Sequence, residues 1–229
     1  MGTLGVFGEA GIREGDEVVV PAFGNPGVAE AVVQAGAVPV FADVEAESLC
    51  LDPEAVAAAV TPRTTAVVAV HRFGHPADLA RLRAVAERHE LLLVEKDDPE
   101  TDPDEGPAWP ERRRMQAAYL NARLSGVVPP AAVPGHTYRQ YVVRVPGNGR
   151  PDRDAFARAL RARGVACRVP VRVPLYRLPG LRGELWLPRT ERAVDETLAL
   201  SLPAGWSRRE LARMASLCNA LGGLLQPAL

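Results

Sequence analysis

The sequence predicts an α/β fold, with a parallel sheet in its N-terminal part followed by a smaller α+β domain. Three observations predict it. Near-continuous apolar runs alternate with amphipathic helical stretches as far as Glu95. The helical stretches open on capping residues or prolines. Beyond an acidic, proline-rich break the alternation loses its regularity.

Taken in order, "DEVVVPAF" (16–23) reads as a short buried strand. "NPGVAEAVVQAGA" reads as a helix with Asn25 as N-cap, Pro26 in its first turn and Gly36 closing it. "VPVFADV" (38–44) is the next strand, and "DPEAVAAAV" repeats the cap-then-proline start with Asp52 and Pro53. "TTAVVAVH" (64–71) is a third strand. "PADLARLRAVAERHE" (76–90) is a helix with Leu79, Leu82, Val85 and Ala86 on one face, and "LLLVE" is the fourth strand. Proline continues neither a central strand nor a helix interior, so 98–109 reads as an irregular connector. After it come a helix from Pro110, a strand 138–145, a helix 153–164 and a short strand "VACRV". A proline-broken loop, a helix around "RTERAVDETLAL" and a final helix complete the chain. The expected domains are 1–97, a connector 98–111, and 112–229.

Bulk composition excludes several classes. Hydrophobic residues at 47% and charged residues at 24% are those of a globular chain of 229 residues, not of a disordered one. A formal charge of −1 gives no electrostatic reason to expect nucleic acid or an anionic membrane as partner. The three cysteines, Cys50, Cys167 and Cys218, lack CxxC spacing, which argues against a disulfide framework and a zinc site. No signal pattern and no membrane-length apolar run is present, so the expected setting is cytoplasmic. Of the 27 lysines and arginines 26 are arginine, and Lys96, in "LLLVEKDDPE", is the one lysine.

The stretch from "GIREGDEVVVPAF" to "HRFGHPADL" resembles, nearly position by position, the large domain of the DegT/DnrJ/EryC1/StrS sugar aminotransferases. "RRRMQAAYLNARLSGVVPP", "YRQYVVRVP" and "RGVACRVPVRVPLYRLPGL" resemble their C-terminal small domain. The resemblance implies a reduced fold-type-I pyridoxal-phosphate (PLP) transferase. Its departures fall at cofactor positions. Gly2 and Thr3 match the end of the family's phosphate-binding Ser-Gly-Thr turn, without the elements before it. Gly24 and Asn25 stand where an aromatic residue stacks on the ring. Lys96 stands where "EDAA" places an aspartate under the pyridine nitrogen, and a cation there opposes pyridinium formation. The segment carrying the family's aldimine lysine is missing. The resemblance therefore implies that no cofactor is expected, with PLP as an alternative only, and that Gly2, Thr3, Asn25 and His71 are relic positions.

Lys96 falls at the carboxyl end of a strand, where ligands bind in open parallel sheets. A Schiff-base lysine needs a depressed pKa in a dry pocket. Glu95, Asp97 and Asp98 surround it in sequence and favour its charged form, so an ordinary ion-paired cation is the simpler reading. Glu95–Asp98 with Glu100 could cradle a cation, but a solvated acidic loop beside Arg112–Arg114 accounts for the run. His71 and His75 bracket a glycine after a strand, a structural position rather than a metal pair; no metal is expected. Cys50 lacks a positioned base. Tyr138, Gln140 and Tyr176 fall where the family approaches its sugar or nucleotide, though Tyr138 and Gln140 alternate on an expected strand and could simply pack.

Three functions remain open. The first is a non-transaminating pseudoenzyme with a regulatory or scaffolding role. The second is a repurposed, cofactor-independent enzyme of sugar or secondary-metabolite biosynthesis, with Lys96, Glu95 and Asp97 as acid–base groups. The third is a residual aminotransferase completed by a partner chain. "LLLVE" is expected at a sheet edge, and an open edge invites pairing. A homodimer is therefore expected, with association with an intact homologue and a sugar or small-metabolite ligand as further possibilities.

Overall fold

The structure, a computed structural model, describes residues 12–98, 109–146, 152–181, 183–203 and 205–225. It divides into two compact units. The first comprises 1–72, 76–99 and 173–191, and the second 73–75, 100–172 and 192–229.

The first unit is a four-stranded parallel sheet in the order β2-β1-β3-β4, with β1 Glu17–Pro21, β2 Val38–Ala42, β3 Thr64–His71 and β4 Leu92–Asp97. Side chains alternate between its faces. Val18, Val20, Val68, Val70 and Val94 lie in one core with Ala29 and Val32 of α1 (Gly27–Gln34). Val19, Val67 and Ala69 lie in the other, with Val56 of α2 (Pro53–Ala59) and Leu82 and Ala86 of α3 (Leu79–Arg88). Each fully buried valine contributes on the order of 1.5–3 kcal/mol. That two-sided burial is why these strands read as unbroken apolar runs.

Two of the three helix starts in this unit follow side-chain caps. Asp52 accepts from Glu54 N–H at 2.9 Å, as expected. Asn25 Oδ1 accepts from Gly27 N–H at 2.8 Å, and Pro26 occupies the cap position itself. The third helix begins at Leu79 rather than Pro76, because Asp78 accepts from Arg81 N–H at 3.0 Å and fixes the start there. β4 runs beyond "LLLVE" through Lys96 and Asp97, paired with Val70 and His71.

Residues 173–191 were expected in the small domain but pack within the first unit. Leu175 N–H donates to Ala22 O at 2.9 Å, and the Tyr176 ring meets Phe41 edge-on at 6.3 Å. The apolar Leu175 and Tyr176 are buried in the same core as Val18 and Val20, which accounts for the placement.

The second unit holds a three-stranded antiparallel sheet, β5-β7-β6, from Tyr141–Arg144, Thr197–Leu200 and Cys167–Arg168. Helices α4 (Trp109–Asn121), α5 (Asp152–Ala162) and α7 (Arg208–Leu225) supply Leu120, Phe156, Leu160 and Met214 to its core. Two expectations are corrected here. "TLAL" is a buried central strand, β7, not the end of the helix α6 (Pro188–Glu196), because its apolar run sits between two ladder partners. The strand expected over 138–145 begins only at Tyr141: Tyr138 has φ 48°, a left-handed conformation that breaks extension.

Candidate functional site

The carboxyl ends of β1, β3 and β4 converge on one polar arrangement. Asp98, directly after β4, is fully buried and accepts from Arg72 Nη1 at 2.8 Å. Arg72, directly after β3, is 3% exposed. Its Nη2 donates to Phe23 O at 3.3 Å, and its guanidinium lies 6.0 Å from the Phe23 ring centroid. Asp98 is thus part of a buried ion pair and not of a solvated acidic loop. Composition alone could not separate the two. The signal is weak: Arg72 and Asp98 are charges of opposite sign immediately after two adjacent strands, but Asp98 ends a run of charges.

β4 divides the expected acid–base trio. By strand alternation Lys96 follows Val94 on one face of the sheet, while Glu95 and Asp97 follow Leu93 on the other. Lys96 is half-buried, and among the described residues its side chain makes no hydrogen bond or ion pair. Glu95 instead meets His71, Oε1 to Nε2 at 2.8 Å. The other ring nitrogen, Nδ1, accepts from Ala77 N–H at 2.9 Å. That bond places the proton on Nε2, which donates to Glu95, and it ties His71 to the entry of α3.

The remaining candidates are placed as follows. Gly2 and Thr3 lie outside the described residues. Asn25 accepts from Gly27 N–H just before α1, while Pro26 holds the cap position. Tyr176 is buried and its hydroxyl donates to Glu191, which also pairs with Arg177 Nη2 at 2.6 Å. Burial and the Glu191 carboxylate push the phenol up to about 12. Tyr138 and Gln140 belong to the second unit and share no strand face, since both precede β5. Tyr138 stacks on His136 at 3.8 Å between centroids, and its N–H donates to His136 Nδ1 at 3.0 Å. Burial raises the Cys50 thiol to about 11, consistent with an unreactive side chain. Among the described residues no group of three His, Cys, Asp or Glu could hold a metal ion, and no helix is long and apolar enough to cross a membrane.

The architecture is that of fold-type-I aminotransferases. The structure superposes on Streptomyces venezuelae DesV, solved with a ketimine intermediate, with TM-score 0.83 at 23% identity over 96% of this chain and 82% of that one. NtdA of Bacillus subtilis, solved with bound cofactor PMP, gives TM-score 0.84 at 18% identity over 96% of this chain and 71% of that one. At such identities the likeness establishes the fold. Residues 3–98 match the model of the DegT/DnrJ/EryC1/StrS aminotransferase family. Over 85 residues the chain is 51% identical to the L-glutamine:2-deoxy-scyllo-inosose aminotransferase of Streptomyces kanamyceticus, spanning 37% of this chain and 20% of that enzyme. Over 85 residues it is 52% identical to the erythromycin biosynthesis sensory transduction protein EryC1 of Saccharopolyspora erythraea, spanning 37% of this chain and 23% of that protein. The matched stretch thus covers about a fifth of the curated relatives' length.

These findings overturn the expectation that no cofactor is involved. The matched family is one of aminotransferases and the structural neighbours include PMP-bound forms, which points to PLP as the cofactor. The described residues do not fit its transamination chemistry. The one amine, Lys96, stands within a strand, and the buried carboxylate at the strand ends is committed to Arg72.

Proposed function

We propose that this chain is a non-transaminating member of the sugar-aminotransferase family, a pseudoenzyme with a regulatory or scaffolding role that has PLP as its cofactor ligand. The observation that carries the proposal is the setting of Lys96. PLP transamination uses a lysine amine against the cofactor aldehyde and a group tuning the ring nitrogen. Lys96 is the one lysine of the 229 residues, and it sits inside the sheet ladder opposite Val70. The names of the relatives support a cyclic keto-polyol or related sugar as a second ligand, and EryC1 carries a sensory rather than a catalytic name.

The test is a half-reaction. The purified chain is mixed with PLP and L-glutamine, and conversion of PLP to PMP is followed by absorbance and chromatography. The proposal expects no conversion above the protein-free rate. Conversion by the chain alone would overturn it, and conversion only after adding an intact homologue would favour a residual aminotransferase completed by a partner chain.

One observation favours the second reading, a cofactor-independent enzyme of sugar or secondary-metabolite biosynthesis. His71 and Glu95 form a hydrogen-bonded pair with a fixed tautomer, an arrangement suited to proton transfer. Lys96 takes no part in it, lying on the opposite face. The homodimer also remains a proposal. It is supported by the position of β4 at the end of the sheet and by Leu92, 39% exposed on that strand.

A further inference from the structure

The formal charge of −1 conceals an uneven division. The first unit carries 18 acidic and 10 basic residues and the second 10 acidic and 17 basic, formal charges of −8 and +7. Basic charge gathered on one face of a unit is the electrostatic footprint of a polyanion.

It gathers on α5 and α7. Arg158 and Arg161 lie three apart on the exposed stripe of α5, while Phe156, Ala157 and Leu160 turn into the core. Arg209 and Arg213 lie four apart on α7, beside Arg208, with Leu211 and Met214 turned inward. Arg213 Nη2 donates to Arg163 O at 3.1 Å, just beyond the end of α5, and so brings the two sets together. Arg163 Nη1 donates to Ala159 O at 3.0 Å, and Arg161 Nε to Cys167 O at 3.1 Å.

All six arginines are exposed, and among the described residues no carboxylate meets any of them. The acidic neighbours are engaged locally. Asp154 Oδ1 accepts from Arg153 Nε at 2.7 Å, and Glu210 Oε2 accepts from the Ser207 N–H at 2.7 Å and its hydroxyl at 2.8 Å. Helix electrostatics accounts for part of the pattern. Arg161 stands in the last turn of α5, where the dipole favours a cation, but Arg208 and Arg209 open α7, where it opposes one.

The face lacks what protein and membrane partners use. Among the described residues no exposed large apolar side chain lies on α5 or α7. Protein interfaces are built around an apolar or aromatic centre, and membrane-surface helices insert an apolar face. Neither helix presents an exposed aromatic ring among the described residues on which unpaired bases could stack. We infer that α5 and α7 form a docking face for the sugar-phosphate backbone of duplex nucleic acid, bound without regard to sequence. Guanidinium forks match pairs of phosphate oxygens, and the anions relieve the repulsion among the arginines. The inference is independent of whether the chain transaminates.

The test is fluorescence anisotropy of a labelled DNA duplex of arbitrary sequence, titrated with the full chain without PLP at several sodium chloride concentrations. Binding is expected at about 50 mM salt, with a slope of log K against log salt of about −4, since each neutralised phosphate contributes about −0.9. Arg209→Ala with Arg213→Ala is expected to make the slope shallower by about 2 and to weaken low-salt binding by roughly ten-fold or more. Arg158→Ala with Arg161→Ala is expected to do the same from the other helix. Arg83→Ala with Arg88→Ala removes the same charge from exposed positions on α3 and is expected to leave slope and affinity unchanged. No binding by the parent chain at about 50 mM salt would overturn the inference, and so would equal weakening by the α3 pair. Equal or tighter binding to poly-glutamate, or to vesicles of anionic lipid, would reassign the face to an acidic protein or a membrane and overturn it as well.

Discussion

Asp43 and Thr190 are joined by two hydrogen bonds to one carboxylate oxygen: Oδ1 accepts from Thr190 N–H at 2.7 Å and from its hydroxyl at 2.8 Å. Oδ2 accepts from Arg189 N–H at 3.0 Å. The residue after β2 therefore caps the first turn of α6, where free N–H groups and the helix dipole favour an anion. Asp43 and Thr190 are both buried, so removing the carboxylate leaves donors without water. Asp43→Ala is expected to cost about 2–4 kcal/mol in urea unfolding, with Asp43→Asn intermediate. A loss below about 0.5 kcal/mol would contradict this reading of the cap.

His136 gives a pH dependence. Burial, then the neighbouring His75, hold its pKa down to about 3, with a backbone hydrogen bond at Gly74 working the other way. Its folded value lies below that of an unfolded histidine near 6.5, so the fold prefers the neutral ring. The stability it contributes is complete above about pH 6.5 and is withdrawn as pH falls toward 3. Unfolding followed between pH 7 and 4 is expected to show this loss, diminished in His136→Gln. A pH profile unchanged by the substitution would assign the loss to other groups.

Lys96→Ala tests the standing of the one lysine. With no hydrogen bond or ion pair among the described residues to lose, the substitution is expected to change stability by less than about 0.5 kcal/mol. Circular dichroism and urea unfolding check it. A loss of several kcal/mol would make Lys96 a structural cation instead.

The β4 edge bears on association. If two copies meet there, Leu92→Lys should convert a dimer to a monomer in sedimentation at micromolar protein, since an edge lysine disfavours strand-to-strand pairing. A parent chain that sediments only as a monomer would remove the proposed homodimer.

Much of the first unit was legible because two-sided burial leaves its strands uniformly apolar: "TTAVVAVH" matches β3 at both ends, and Asp52 caps as its position indicated. The second unit was less legible because local pattern competes with tertiary pairing. "TLAL" follows a helix without any breaker and becomes a strand only because β5 and β6 flank it. Tyr138 looked extended, yet its turn depends on long-range bonds, Thr137 N–H to Gly74 O at 2.8 Å and Gln140 N–H to Phe73 O at 3.3 Å. At the site, Lys96 drew attention by being unique, whereas Arg72 and Asp98 were hidden among ordinary charges. Their meaning lies in adjacency across strands, which sequence order does not display.

The most direct test of the central claim is covalent. PLP is added to the purified chain, the mixture is reduced with borohydride, and adducts are mapped by mass spectrometry. PLP is expected to be retained without a stoichiometric phosphopyridoxyl adduct on Lys96, and no PMP is expected to form with L-glutamine. A stoichiometric Lys96 adduct together with PMP formation would show that the lone lysine performs the Schiff-base role, and would contradict the claim that this chain does not transaminate.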